Sequence, residues 1–382
     1  MPGKGEELAI VMSGGGARAA YQVGFLRCLA HHYPDLPVAI LTGVSAGAIN
    51  AAYLAAHQGS FLDKVETLAE VWAKLTTDQI FRVNISSVAG NVTRWGMRLM
   101  MGKASRAIRG ARSLLDPAPL CALLERILKP NDGHLPGIMH NLDRDALRAV
   151  AVTASSYSTG QSVTWVQGRG ITQWERAHRR SIPAGLGLYH ILASASIPMF
   201  FPAVRIDKHW YGDGGILLTS PLSPAVQLGA DRILAISTRS NRNSEGVALP
   251  AEEGEDYPPP AQVIGALVDA LFLDVFDNDA LRLERINALV DCLPEDKRNG
   301  LRHIDLLVLR PSQDLGKLAN EYAAELPNAF RFMTRGLGTQ ETRSNDLLSL
   351  LMFQPDYLQR MLDLGYADAK AREDEIAAFL AK

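Results

Sequence analysis

Apolar positions in the first half of the chain gather into short runs, and the longer stretches between them carry apolar residues at helical spacing. The runs are Leu8–Met12, Val38–Thr42, Ala149–Thr153, Ser162–Val166, Val204–Ile206 and Ile233–Ser237. Each has strand length, and Leu8–Met12 has no polar position, which predicts a buried strand. Ala19–His31 and Ala48–Leu54 are among the helical stretches. Strands alternating with helices predict a three-layer α/β/α fold with a mostly parallel central sheet. After Ser237 the pattern changes. The acidic segment Asn241–Pro260, ending in Pro258-Pro259-Pro260, reads as a surface loop. A helix over about Ala261–Val290 follows, then a strand-like Ile304–Leu309 expected to rejoin the sheet, then a helical C-terminus. The division is therefore a main domain over 7–240, an acidic Pro-rich loop over 241–260, and a mainly helical extension over 261–382 with its late strand at about 303–309. Within the extension, the apolar Leu347–Phe353 is expected to pack on the domain.

Three glycine clusters fall between these elements. Gly43-Val44-Ser45-Ala46-Gly47 lies between a strand and a helix and puts a serine at the apex of a sharp turn, where small neighbours let the two backbones come close. Its hydroxyl then sits near a helix N-terminus, which favours developing negative charge. Ser13-Gly14-Gly15-Gly16-Ala17-Arg18 follows the first strand, and three successive glycines let backbone N–H groups converge on an anion or oxyanion. Asp213-Gly214-Gly215 places one carboxylate in a loop open to close approach. Each cluster also has a plainer reading: a dinucleotide loop, an ordinary tight turn and an Asp-Gly turn. Against the first, the next strand ends in Thr42-Gly43-Val44-Ser45 and not in an acidic ribose ligand.

In combination and in this order, Gly14-Gly15-Gly16-Ala17-Arg18, Gly43–Gly47 and Asp213-Gly214-Gly215 resemble the three blocks of the patatin-like phospholipase family. Ala193-Ser194-Ala195-Ser196-Ile197-Pro198 matches a fourth family feature, although it also reads as a helix stopping before Pro198. The resemblance covers roughly residues 7–240. One position departs from the family: Ala19 stands where a further glycine is usual, and alanine costs little inside a helix. The resemblance implies a metal-independent serine acyl-hydrolase without cofactor, acting on fatty acyl esters of phospholipids or lysophospholipids. It assigns Ser45 as nucleophile and Asp213 as sole general base. Gly14, Gly15, Gly16 and Arg18 then form the oxyanion loop, Arg18 either bracing it or meeting a phosphate headgroup. Ala46 is a further N–H donor, and Gly43, Gly47, Gly214 and Gly215 support the motifs. A general carboxylesterase, an acyltransferase or a non-catalytic lipid-binding protein of the same fold are the alternatives. For a histidine triad, His209 and His303 are the positional candidates.

Composition narrows the class. The chain has 382 residues, 47% of them hydrophobic, enough for a large core, and its formal net charge of −2 argues against nucleic acid as a partner. Cys28, Cys121 and Cys292 are few and widely spaced, as expected in a reducing, cytoplasmic compartment. The first apolar run is too short for a signal peptide or a membrane span, so membrane contact would be peripheral. Gln79–Leu115 offers a surface for it. That stretch has no acidic residue after Gln79, a Met97/Met100/Met101 face, and Arg94, Arg98, Arg109 and Arg112 beside that face. Segment 94–112 thus reads either as a basic amphipathic helix for anionic lipid or as a core-packing helix with a solvated edge. Acyl length, position cleaved, headgroup and oligomeric state are not encoded in these motifs.

Overall fold

A computed structural model describes residues 7–83, 115–198, 200–240, 275–322 and 346–381. Segment 94–112, the loop 241–260 and the first part of the 261–290 helix lie outside these residues. In chain order the elements that frame the site are β1 (Leu8–Met12), α1 (Ala19–His32), β2 (Ile40–Val44), α2 (Ala46–Ala56), α3 (Phe61–Ala73) and α4 (Ala118–Leu128). They continue with β3 (Ala149–Ser156), β4 (Gln161–Gly168), β5 (Arg179–Pro183), α5 (Leu188–Ser194), β6 (Val204–Ile206), β7 (His209–Asp213), β8 (Arg232–Ile236), α6 (Val275–Cys292) and β9 (Asp305–Leu309). The C-terminal helices are α7 (Asp346–Leu351), α8 (Pro355–Ala371) and α9 (Glu373–Leu380).

These strands and the two-residue strand Glu175–Arg176 form one mixed, mostly parallel ten-stranded sheet, ordered β9-β8-β1-β2-β3-β4-β5 along its main path, with Glu175–Arg176 beyond β5. β1 pairs in parallel with β2 and β8, β8 with β9, and β2 with β3. Side chains along β1 divide the core. Leu8, Ile10 and Met12 join the cluster formed with α1–α3 and the C-terminal helices, whereas Ala9 and Val11 join a second cluster with Leu222, Ala225 and Phe276. This period-two division places apolar layers on both faces of the sheet.

Two strands were not legible as apolar runs. β5 is Arg179-Arg180-Ser181-Ile182-Pro183 and β7 is His209-Trp210-Tyr211-Gly212-Asp213, both too polar or too glycine-bearing to announce themselves. β7 matters most. It pairs antiparallel with the last residues of β3, on the same edge that β2 occupies just before. No helix among the described residues is long and apolar enough to cross a membrane.

Candidate active site

Ser45 sits between the last residue of β2 and the first of α2, with φ 55° and ψ −129°, a conformation that a non-glycine residue rarely holds. The surroundings enforce it. The Ser45 N–H donates to Ser194 Oγ at 3.0 Å, and the Ser194 hydroxyl donates to the Thr153 carbonyl at 2.6 Å. Gly47 is required by proximity, since a Cβ there would lie 2.4 Å from the carbonyls of both Met12 and Ser13. Gly43 faces Gly47 in the same way, with an added Cβ 2.3 Å from the Gly47 carbonyl.

Asp213 arrives from the opposite direction. On the β3 edge Val44 stands opposite Thr153 and Asp213 opposite Ala154, so the residue after Val44 and the end of β7 meet. The Asp213 N–H donates to the Ser196 carbonyl at 2.9 Å, and its Oδ1 accepts from the Gly215 N–H at 2.9 Å. Residues 194 and 196, in the fourth motif, thereby hold Ser45 and Asp213 in place; α5 does end before Pro198, as its helical reading implied. The carboxylate is fully buried, and burial pushes it up to about 7; the nearby Ser45 hydroxyl and the Gly215 N–H oppose that rise. Oδ2 is buried without a hydrogen-bond partner.

The glycine loop packs directly on the serine: a Cβ on Gly14 would lie 3.0 Å from Ser45 Cβ. The Gly14 carbonyl accepts from Thr238 Oγ1 at 2.6 Å. Because a trans peptide sets its N–H opposite its C=O, the Gly15 N–H is aimed away from Thr238. Gly16 has φ 54°, and the loop closes with the Arg18 N–H on the Gly15 carbonyl at 3.0 Å. Ala46 opens α2, where an N–H has no acceptor within its own helix. Ala19 has φ −66°, an ordinary helical value, so the missing glycine is not needed there.

Sequence reading missed the polar chain behind this loop. Thr238 N–H donates to Ser13 Oγ at 3.1 Å, and Gln22 Nε2 to the Ser13 carbonyl at 2.8 Å. Asn50 Nδ2 donates to Gln22 Oε1 at 3.1 Å, and Trp72 Nε1 to Asn50 Oδ1 at 2.8 Å. All five side chains are buried. The available signal was a single polar residue, Gln22 or Asn50, inside an otherwise apolar helical stretch.

The Arg18 side chain turns to the C-terminal helices. Arg18 is 2% exposed and its guanidinium turns to α7, with Nε donating to Ser349 Oγ at 2.6 Å and Nη2 pairing with Asp346 Oδ1 at 2.5 Å. Of the two roles considered for it, bracing is the contact present. The histidine candidates also lie elsewhere. His303 pairs with Asp291 and Asp305, and His209 meets the Tyr211 ring edge-on. Among the described residues no group of three or more His, Cys, Asp or Glu is arranged to hold a metal. Beside Ser45 opens an apolar cavity between α2, α3 and α4, lined by residues such as Ile49, Leu68, Trp72, Leu123, Leu124 and Phe201 and closed by Leu350, Leu351 and Phe353.

The family model for patatin-like phospholipase matches residues 10–226, which include the glycine loop, the serine elbow and the aspartate turn. The chain belongs to the patatin-like phospholipase family. A relative from Rattus norvegicus, patatin-like phospholipase domain-containing protein 7, is 29% identical over 185 residues, which is 38% of this chain and 13% of that protein. The chain thus spans about an eighth of that relative's length. Among solved structures, human GIVD cytosolic phospholipase A2 is similar with a TM-score of 0.49 and 11% identity, covering 98% of this chain and 60% of that one. VipD from Legionella pneumophila is similar with a TM-score of 0.39 and 13% identity, covering 97% and 67%.

Proposed function

We propose that this member of the patatin-like phospholipase family is a serine acyl-hydrolase that cleaves fatty acyl ester bonds of phospholipids or lysophospholipids. The observation that carries the proposal is the meeting of Ser45 with a fully buried carboxylate, raised to about 7, at the mouth of an apolar cavity. A serine hydroxyl becomes a useful nucleophile only when a base takes its proton, and a base poised near neutrality suits that task. Ser45 Oγ attacks the ester carbonyl while Asp213 accepts the proton. The oxyanion settles against the amides of the Gly14–Gly16 loop and Ala46, where one donor is typically worth ~2.7–4 kcal/mol. Asp213 then returns the proton to the departing alcohol oxygen. Water, deprotonated by the same carboxylate, releases the acyl group from Ser45. The apolar cavity takes the acyl chain, which favours fatty acyl over short polar esters.

The test pairs a fluorophosphonate probe with fatty-acid release from a panel of defined phosphatidylcholines and their lyso forms. Wild type should label and release acid. Ser45→Ala should do neither, and Asp213→Asn should lose turnover. A wild type that neither labels nor hydrolyses any member of the panel ends the proposal in favour of a lipid-binding protein.

A further inference from the structure

The apolar cavity at Ser45 does not stop at a solid wall. A second cavity shares part of its wall, between the same three helices. Near α2 the first cavity touches Ser45, Ala46 and Ile49, the helix's opening turn, whereas the second touches Tyr53, Ala56 and His57 at its far end. An eleven-residue helix is about 16 Å long. α3 is shared between them: Leu68 and Trp72 face the first cavity and Thr67 the second. On α4, Leu120 and Leu123 line the first, and Leu128 the second. Two residues line both, Val71 and Ile127, and both are only partly buried.

We infer that Val71 and Ile127 form a septum that sets the length of acyl chain the site accepts, and that the second cavity is an overflow site for the end of a longer chain. The inference rests on the acyl-hydrolase reading above. A chain esterified at Ser45 that runs along α2 past Ile49 meets the septum. Each further methylene gains affinity while it stays buried in the first cavity. Beyond the septum the chain must displace two side chains, so the gain stops. The second cavity has a mixed lining that includes Gln58, Arg126 and Lys129, so it holds water when no chain enters.

Turnover of p-nitrophenyl esters from C4 to C18 tests this in both directions. In wild type, kcat/KM should rise with chain length and then level off or fall. The double variant Val71→Ala/Ile127→Ala should move that break to longer chains, raising the C18 to C10 ratio about tenfold. Val71→Phe should move it to shorter ones. Adding Thr67→Trp to the opened variant, which fills the second cavity from its exposed side, should take the gain back. A second readout needs no turnover. Calorimetric binding of C8 to C18 fatty acids to the Ser45→Ala protein should gain about fourfold per methylene, equivalent to ~0.8 kcal/mol, up to the same break. The opened variant should extend that series. If the break stays put in the opened variant, or Thr67→Trp leaves the gain intact, the septum is overturned although the hydrolase stands. If wild type neither labels nor turns over, the hydrolase reading fails, and the binding series alone decides whether the septum exists.

Discussion

Ser45 and Asp213 are each held in a state the chain would not choose alone. A serine at φ 55° carries strain of roughly 1–3 kcal/mol. Ser45→Gly removes that strain together with the nucleophile, so it should abolish labelling and raise Tm by a few degrees, read by thermal melts. In the proposed mechanism Asp213 takes a proton only when ionised, so kcat/KM should climb tenfold per pH unit below about 7 and level off above it. Stability runs the opposite way. The folded protein holds the Asp213 proton more tightly than the unfolded chain does, so this contribution is complete below about pH 4 and is lost as pH rises through about 7. At about 1.4 kcal/mol per pH unit the loss reaches a few kcal/mol. Asp213→Asn, free of this penalty, should therefore gain in Tm relative to wild type as pH goes from 4 to 8. A Tm difference independent of pH would contradict the raised acid.

Strand β3 does the work of assembly. It carries β2 and then β7 on one edge, so a serine and an aspartate far apart in sequence become neighbours at adjacent rungs. The glycine loop is held from behind by Thr238, two residues past β8, whose hydroxyl donates to the Gly14 carbonyl. Thr238→Val keeps the shape and removes the donor, so kcat should fall about tenfold to a hundredfold with KM little changed. Thr238→Ser should restore most of it. Equal losses in both variants would mean that packing, not loop orientation, is what Thr238 supplies.

The C-terminal extension is part of the site and not an appendage. α8 crosses α1 so closely that a Cβ on Gly24 would lie 1.9 Å from the Leu362 carbonyl, and one on Gly365 would lie 2.1 Å from the Tyr21 carbonyl. α7 supplies Leu350 and Leu351 to the apolar cavity and anchors Arg18. A buried charge left without its partner typically costs 3–5 kcal/mol. Asp346→Ala should accordingly lower stability by about that much, whereas the double variant Arg18→Met/Asp346→Leu should recover a large part of it. Denaturant unfolding of the three proteins checks this, and a double variant worse than the single one would contradict the clamp. Gly24→Ala and Gly365→Ala should each destabilise by ~1–3 kcal/mol through overpacking.

The amino-acid order alone carried the layered α/β class, most of the strands and the three glycine motifs, because period, burial and turn chemistry are local properties of neighbouring residues. Serine elbow, glycine loop and aspartate turn could be named one by one for the same reason. Their meeting could not, since β7 is a polar, glycine-bearing strand whose place depends on β3. Arg18's partner lies at Asp346, and the chain Thr238–Ser13–Gln22–Asn50–Trp72 joins three helices and the segments after β8 and β1; no local pattern links such positions. The septum at Val71 and Ile127 is likewise a property of three packed helices, invisible until they share a groove. Motifs are written in consecutive residues, whereas acidity, aim and pocket length arise from burial and long-range packing.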